Sequence, residues 1–209
     1  MGHAYGLDHS RQGDVDQPLK DDKFDYMDPW DVMSYNNTFN SPDADFNSRG
    51  VGLNAWNQRG RGWLDESRVW RSTSYPYAEV VVLRPLDGHD LLGNDLPGFL
   101  CAEIATNRTT GPLLVEFRTT ERWDAGIPKP VVLVHRFSHN QSYLLSGSTG
   151  RPDLGVGDIF ERDILYDDQT QYVHIEIAVR AIDVAGGTAT VFLKSELFRP
   201  PPIKDRDNP

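Results

Sequence analysis

Apolar and polar positions follow different rhythms along this 209-residue chain. Residues 10–50 keep no period: Pro18, Pro29 and Pro42, with many Gly, Asn and Asp, interrupt every short apolar run. Residues 51–58 then read as a short helix, because Val51, Leu53, Ala55 and Trp56 can share one face. Arg59, Gly60, Arg61 and Gly62 interrupt it, and Trp63-Leu64 anchors its exit. Beyond residue 75 the texture becomes short β-rich runs bounded by Gly, Pro, Asn and Asp. Candidate strands are 79–84, 99–105, 113–118, 131–137, 142–145, 172–183 and 188–194. Val173-His174-Ile175-Glu176-Ile177-Ala178-Val179 shows the alternation of a strand with one buried face. Gly186-Gly187, between the last two runs, reads as a tight hairpin.

Strands of this number and spacing predict a β-sandwich, although their order is not legible. The chain as a whole is expected to be α+β. A loop-rich segment with one helix occupies residues 1–72, an antiparallel β-sandwich residues 73–198, and a polar, proline-rich disordered tail or linker residues 199–209. No apolar run approaches the ~18 residues of a membrane span. The formal net charge of −10 argues against nucleic acid or an anionic membrane surface as partner. Cys101 is the only cysteine, so no intramolecular disulfide forms. Its apolar neighbours predict a buried, inert thiol in a strand.

The densest candidate chemistry lies in the first ten residues, Met-Gly-His-Ala-Tyr-Gly-Leu-Asp-His-Ser. His3 and His9 are six apart, with Gly6 midway. A helix carrying His3 would end near Gly6, which accepts the left-handed conformation of a sharp turn. That turn brings His9 back beside His3, and two converging neutral imidazoles suit zinc. Leu7 is placed to pack under the turn, and Asp8 and Ser10 to orient it.

This spacing resembles the last two thirds of the metzincin zinc site, H-E-x-x-H-x-x-G-x-x-H. On that motif His3 is the second ligand, Gly6 the turn glycine and His9 the third ligand. The catalytic Glu would fall immediately before Met1, and the first His one residue earlier. Asp25-Tyr26-Met27-Asp28-Pro29-Trp30-Asp31-Val32-Met33-Ser34-Tyr35 looks like the Met-turn of the same clan. Met33 matches the methionine that floors the imidazoles, with Met27 a competing candidate. Tyr35 matches the tyrosine that some metzincin families place near the zinc, where it stabilises the oxyanion. The segment from Gly52 to Leu64 resembles the helix that closes these catalytic domains. Residues 113–118, 123–128 and 131–136 are similar, more loosely, to the β-domain of gametolysin-like and immune-inhibitor-A-like secreted peptidases. There Trp123 and Asp124 take a structural role in a turn.

The resemblance implies a secreted, extracellular zinc metalloendopeptidase acting on protein or peptide substrates. With only His3 and His9 as ligands and the general base upstream of Met1, this polypeptide by itself is expected to be inactive. The alternative is a non-catalytic β-sandwich binding module, or a pseudopeptidase. Seven aspartates (Asp14, Asp16, Asp21, Asp22, Asp25, Asp28, Asp31) offer oxygen ligands for Ca²⁺, by analogy with secreted proteases. Their spacing is not that of an EF-hand loop, and solvated turn-formers are the competing role. Arg59, Arg61, Arg68 and Arg71 form one basic cluster, expected to pair with that acidic loop. His135 and His139 are four apart, but on a strand and loop that spacing does not converge on a second metal.

Overall fold

The computed structural model describes residues 2–13, 26–34, 38–39, 50–87, 97–106, 111–138, 140–147, 149–165 and 171–199. Among these the chain is mostly β, in two sheets, with one short helix. The six-stranded sheet contains β1 (Arg11–Gln12), β2 (Val69–Arg71), β4 (Cys101–Ile104), β5 (Leu113–Arg118), β6 (Val131–Ser138) and β7 (Gln141–Leu144), in the order β1-β7-β6-β5-β4-β2. The four-stranded sheet is β3 (Tyr77–Leu83), β10 (Thr188–Phe198), β9 (Tyr172–Asp183) and β8 (Ile159–Leu165), in that order. The strands after residue 73 pair antiparallel throughout. The two edges of the larger sheet are parallel: β1 on β7 and β2 on β4. Both edge strands come from the first 72 residues, so that sheet spans the expected boundary.

The larger sheet is covered on both faces. Leu113, Val115 and Phe117 of β5 join Val132 and Val134 of β6 in a core cluster with Phe160, Ile175, Ile177, Val191 and Leu193 of the other sheet. Each fully buried apolar side chain there contributes about 1.5–3 kcal/mol. The alternate residues point the opposite way. Leu114 packs with Ala55, Leu64, Leu86, Leu100 and Cys101. Val131 and Leu133 pack with Trp30, Val51 and Ile127. This second face is where the N-terminal segment lies. It explains why Glu116, Arg118 and His135, polar residues in otherwise apolar strands, are fully buried.

The helix, α1, runs Ala55–Gly60 and begins later than its apolar pattern suggests. Asn54 is its N-cap: the side chain accepts from the Asn57 N–H. Before it, Asp124 takes the Gly52 N–H at 2.9 Å and Asp31 the Asn54 N–H at 2.7 Å. These two carboxylates hold residues 52–54 extended, and Val51 joins a different cluster from Ala55.

β1, β2 and β8 carried no readable period. β1 and β2 have only two and three residues. In β8 the charged Glu161-Arg162-Asp163 breaks the pattern, because Arg162 turns inward and sets its guanidinium over Phe160, 5.2 Å from the ring centroid. The β9–β10 hairpin closes through the four residues 184–187, with Gly187 at φ 58° and Asp183 capping the Gly186 N–H at 2.9 Å.

Candidate metal centre

His3 sits on a 3-10 turn, Gly2–Tyr5. The Gly6 N–H donates to the His3 carbonyl at 2.9 Å, and Gly6 itself has φ 70°. Only a residue at ease in the left-handed region reverses the chain there. The reversal buries Leu7, and the Asp8 carboxylate accepts the His9 N–H at 2.8 Å. His9 Nε2 arrives 3.1 Å from His3 Nε2. Two nitrogens about 2.0 Å from one tetrahedral zinc stand ~3.3 Å apart, so the pair fits such an ion. His3 Nδ1 donates to the Leu7 carbonyl at 2.9 Å. A carbonyl only accepts, so in the neutral ring the proton is on Nδ1 and Nε2 keeps its lone pair, the arrangement of a ligating histidine.

The exit of α1 braces this turn. The Arg61 guanidinium donates to the Gly6 carbonyl at 3.0 Å, and Trp63 packs edge-on against Tyr5 with centroids 5.5 Å apart. Glu66 and Glu103 engage Arg59 and Arg71, at 2.6–3.0 Å in the closest contacts. Arg68 donates to the Gly98 carbonyl. Among the described residues, glutamates and carbonyls thus hold Arg59, Arg61, Arg68 and Arg71, while most of the aspartate loop lies outside those residues.

The methionine segment is fastened to this turn. Met33 is buried in a 3-10 turn, Val32–Ser34. The Ser34 hydroxyl donates to the Ser10 carbonyl at 3.0 Å and accepts the Asp28 N–H at 3.1 Å. The residue after Met33 is therefore tied to the residue after His9. Tyr35 lies outside the described residues, as do Asp14, Asp16, Asp21, Asp22 and Asp25. Another tyrosine reaches the histidines: Tyr26 Oη is 2.7 Å from His9 Nε2. Nothing in the spacing of Tyr26 from His9 marks it; the fold brings them together.

Asp28 and Asp31 do not line the imidazole pair. Both are fully buried as structural acceptors. Asp31 takes N–H groups of Met33, Asn54 and Asn57 at 2.6–3.0 Å. Burial, and then the charge of Asp28, push its carboxyl up to about 6. Asp28 meets His135 Nε2 at 3.0 Å. Arg118 holds the Asp124 carboxylate through two of its nitrogens and also donates to Glu116 and the Trp30 carbonyl. Glu116 in turn accepts the Ala55 N–H at 2.6 Å. This buried polar layer was invisible in the sequence except as a histidine and charged residues inside apolar strands.

His135 is thus a structural histidine; His139 and His89 lie outside the described residues. Glu161, His174 and Glu176 bring potential ligand atoms within 4.8 Å of one another on the outer face of the smaller sheet. Lys194, paired opposite Glu176, already supplies a cation to that row. Cys101 is fully buried in β4, and burial pushes its thiol well above the usual range.

No protein family, curated protein or solved structure matches this chain.

Proposed function

We propose that the chain carries the ligand turn and methionine turn of a metzincin-type zinc metalloendopeptidase. The observation that carries this is the meeting of His3 and His9 Nε2 at 3.1 Å across Gly6. The Ser34–Ser10 tie, which ties the methionine segment to the strand after His9, supports it. In this reading residues 1–72 belong to the catalytic subdomain, and the two sheets that share one core pack as a β-sandwich. Bound zinc would supply a Lewis acid and lower the pKa of its water. The chain's own part is to orient: Leu7 and Asp8 fix the His3 ring and the His9 backbone, Met33 floors the imidazoles, and Tyr35 stabilises the oxyanion. Substrates are proteins or peptides, and the setting is extracellular.

Isothermal titration with Zn²⁺ tests this directly. The chain is expected to take up one ion, and His3→Ala and His9→Ala to lose it. If wild type takes up no ion, the reading is withdrawn.

A second reading, a binding module, has one observation in its favour. The register aligns Ile159, Ala178, Phe192 and Val80 in a row across all four strands of the smaller sheet. Val80 is 64% exposed and Ile159 39%. Ala178 at its centre is buried, and the two exposed apolar ends suit a protein partner.

A further inference from the structure

We propose that Tyr26 is a metal ligand of this site, completing with His3 and His9 a three-donor set contained within this chain. The inference rests on the zinc reading above and extends it to a residue outside the metzincin pattern: Tyr26 precedes Met33 by seven positions, whereas the tyrosine of that pattern follows it.

The first argument is the placement of donor atoms. His9 Nε2 has His3 Nε2 at 3.1 Å and Tyr26 Oη at 2.7 Å. The Tyr26 and His9 rings lie 4.1 Å apart, tilted by 38°. Two further atoms that bear lone pairs, one from each flanking residue, thus lie within 3.1 Å of His9 Nε2.

The second argument is proton counting. His3 holds its ring proton on Nδ1, directed at the Leu7 carbonyl. Its Nε2 therefore has no proton to offer. If His9 Nε2 accepts from Tyr26, the two imidazole nitrogens face each other lone pair to lone pair. If His9 Nε2 instead donates to His3, its lone pair is gone and it cannot accept from the Tyr26 hydroxyl. Neither tautomer of His9 satisfies both contacts fully. A cation shared by the three atoms satisfies all of them.

The third argument is the backbone. Tyr26 has φ 63°, a conformation that a bulky residue rarely adopts and that surrounding structure must impose. The neighbouring chain is held by the Ser34 hydroxyl, which bonds Asp28, two residues after Tyr26, and Ser10, one residue after His9. One side chain thus fastens together the segments that carry the phenol and the imidazole. Ligation through the phenolate oxygen passes the phenolic proton to buffer and changes no oxidation state.

The test uses the whole 209-residue chain. Zn²⁺ affinity is measured by competition with a chromophoric chelator for wild type, Tyr26→Phe, His3→Ala and His9→Ala. Cu²⁺ is titrated in parallel, because a tyrosinate–Cu(II) bond gives a charge-transfer band in the visible that imidazole alone does not. Loss of even an outer-shell partner weakens metal binding about 10–100-fold, so Tyr26→Phe is expected to weaken Zn²⁺ at least tenfold. Its circular dichroism and melting point without metal should match wild type, and wild type alone should show the copper band. If wild type binds Zn²⁺, both histidine variants lose it, and Tyr26→Phe binds as tightly as wild type, Tyr26 is not a ligand and the zinc reading survives. A wild type with no copper band overturns the tyrosine ligand without recourse to any variant. A wild type that binds no Zn²⁺ overturns both.

Discussion

His135 meets the Asp28 carboxylate through Nε2 at 3.0 Å, although the two residues lie 107 positions apart and both are fully buried. The contact joins the centre of β6 to the segment leading into the methionine turn. On its other side, His135 Nδ1 has no hydrogen-bond partner among the described residues, and Glu116 stands 3.7 Å away. Burial opposes a charged imidazole here, but Glu116 and Asp28 outweigh it and hold the His135 pKa above its usual value. A base whose pKa is raised on folding stabilises fully below its unfolded value of about 6.5, and the contribution disappears as pH rises through the folded value. Urea denaturation should therefore show stability falling above pH 6.5, and His135→Gln should flatten that fall. An equal slope in the variant sinks the assignment.

Asp31 works in the same direction at lower pH. Its carboxyl, raised from 3.8 to about 6, favours the protonated folded state. Its contribution is present below pH 3.8 and is lost on the way to pH 6, by on the order of 3 kcal/mol. Asp31→Asn should be less stable than wild type at pH 5, because in either orientation the amide NH2 faces a donor, the Met33 N–H or those of Asn54 and Asn57, yet insensitive to pH across that window. A variant that keeps the full wild-type slope between pH 4 and 6 rules this out.

Arg118 is enclosed by Asp124, Glu116 and the Trp30 carbonyl. Removing one partner of a buried ion pair leaves the other charge uncompensated, which costs about 3–5 kcal/mol. Arg118→Met should lower the unfolding free energy by that amount at pH 7. A loss under about 1 kcal/mol would mean the carboxylates repack or protonate without difficulty.

Gly6 carries the turn between the two histidines at φ 70°. A Cβ there meets the Arg61 guanidinium at 3.2 Å, and that flexible side chain can yield. The backbone cannot, and the left-handed conformation costs an L-residue about 1–2 kcal/mol. Gly6→Ala should lower the melting temperature and weaken Zn²⁺ binding, with Gly6→Asn milder in both. Zinc affinity unchanged in Gly6→Ala would show that the turn does not set the imidazole separation.

Cys101 has no exposed surface. Ellman's reagent should leave the native thiol untouched and titrate one thiol after denaturation in guanidinium. Rapid reaction in the native state would place Cys101 outside the core.

Much of the β-rich architecture was legible because strand period is a local property. The runs over 113–118 and 172–183 coincide with β5 and β9; burial alternates over 172–177 as the pleat requires, whereas β5 is buried on both faces. The spacing His3–Gly6–His9 was also legible, since a turn at glycine is decided within a few residues. Three features were decided only by the tertiary fold. The short edge strands β1 and β2 exist because β7 and β4 offer them ladders. The charged residues of β5 and β6 are buried because the N-terminal segment covers that face, and pairing among Asp28, His135, Glu116, Arg118 and Asp124 makes the burial tolerable. Tyr26 reaches His9 across 17 positions of chain because the hydroxyl of Ser34 holds their segments together. Contacts between distant residues have no sequence period; they are set by which faces need covering and which polar groups need partners.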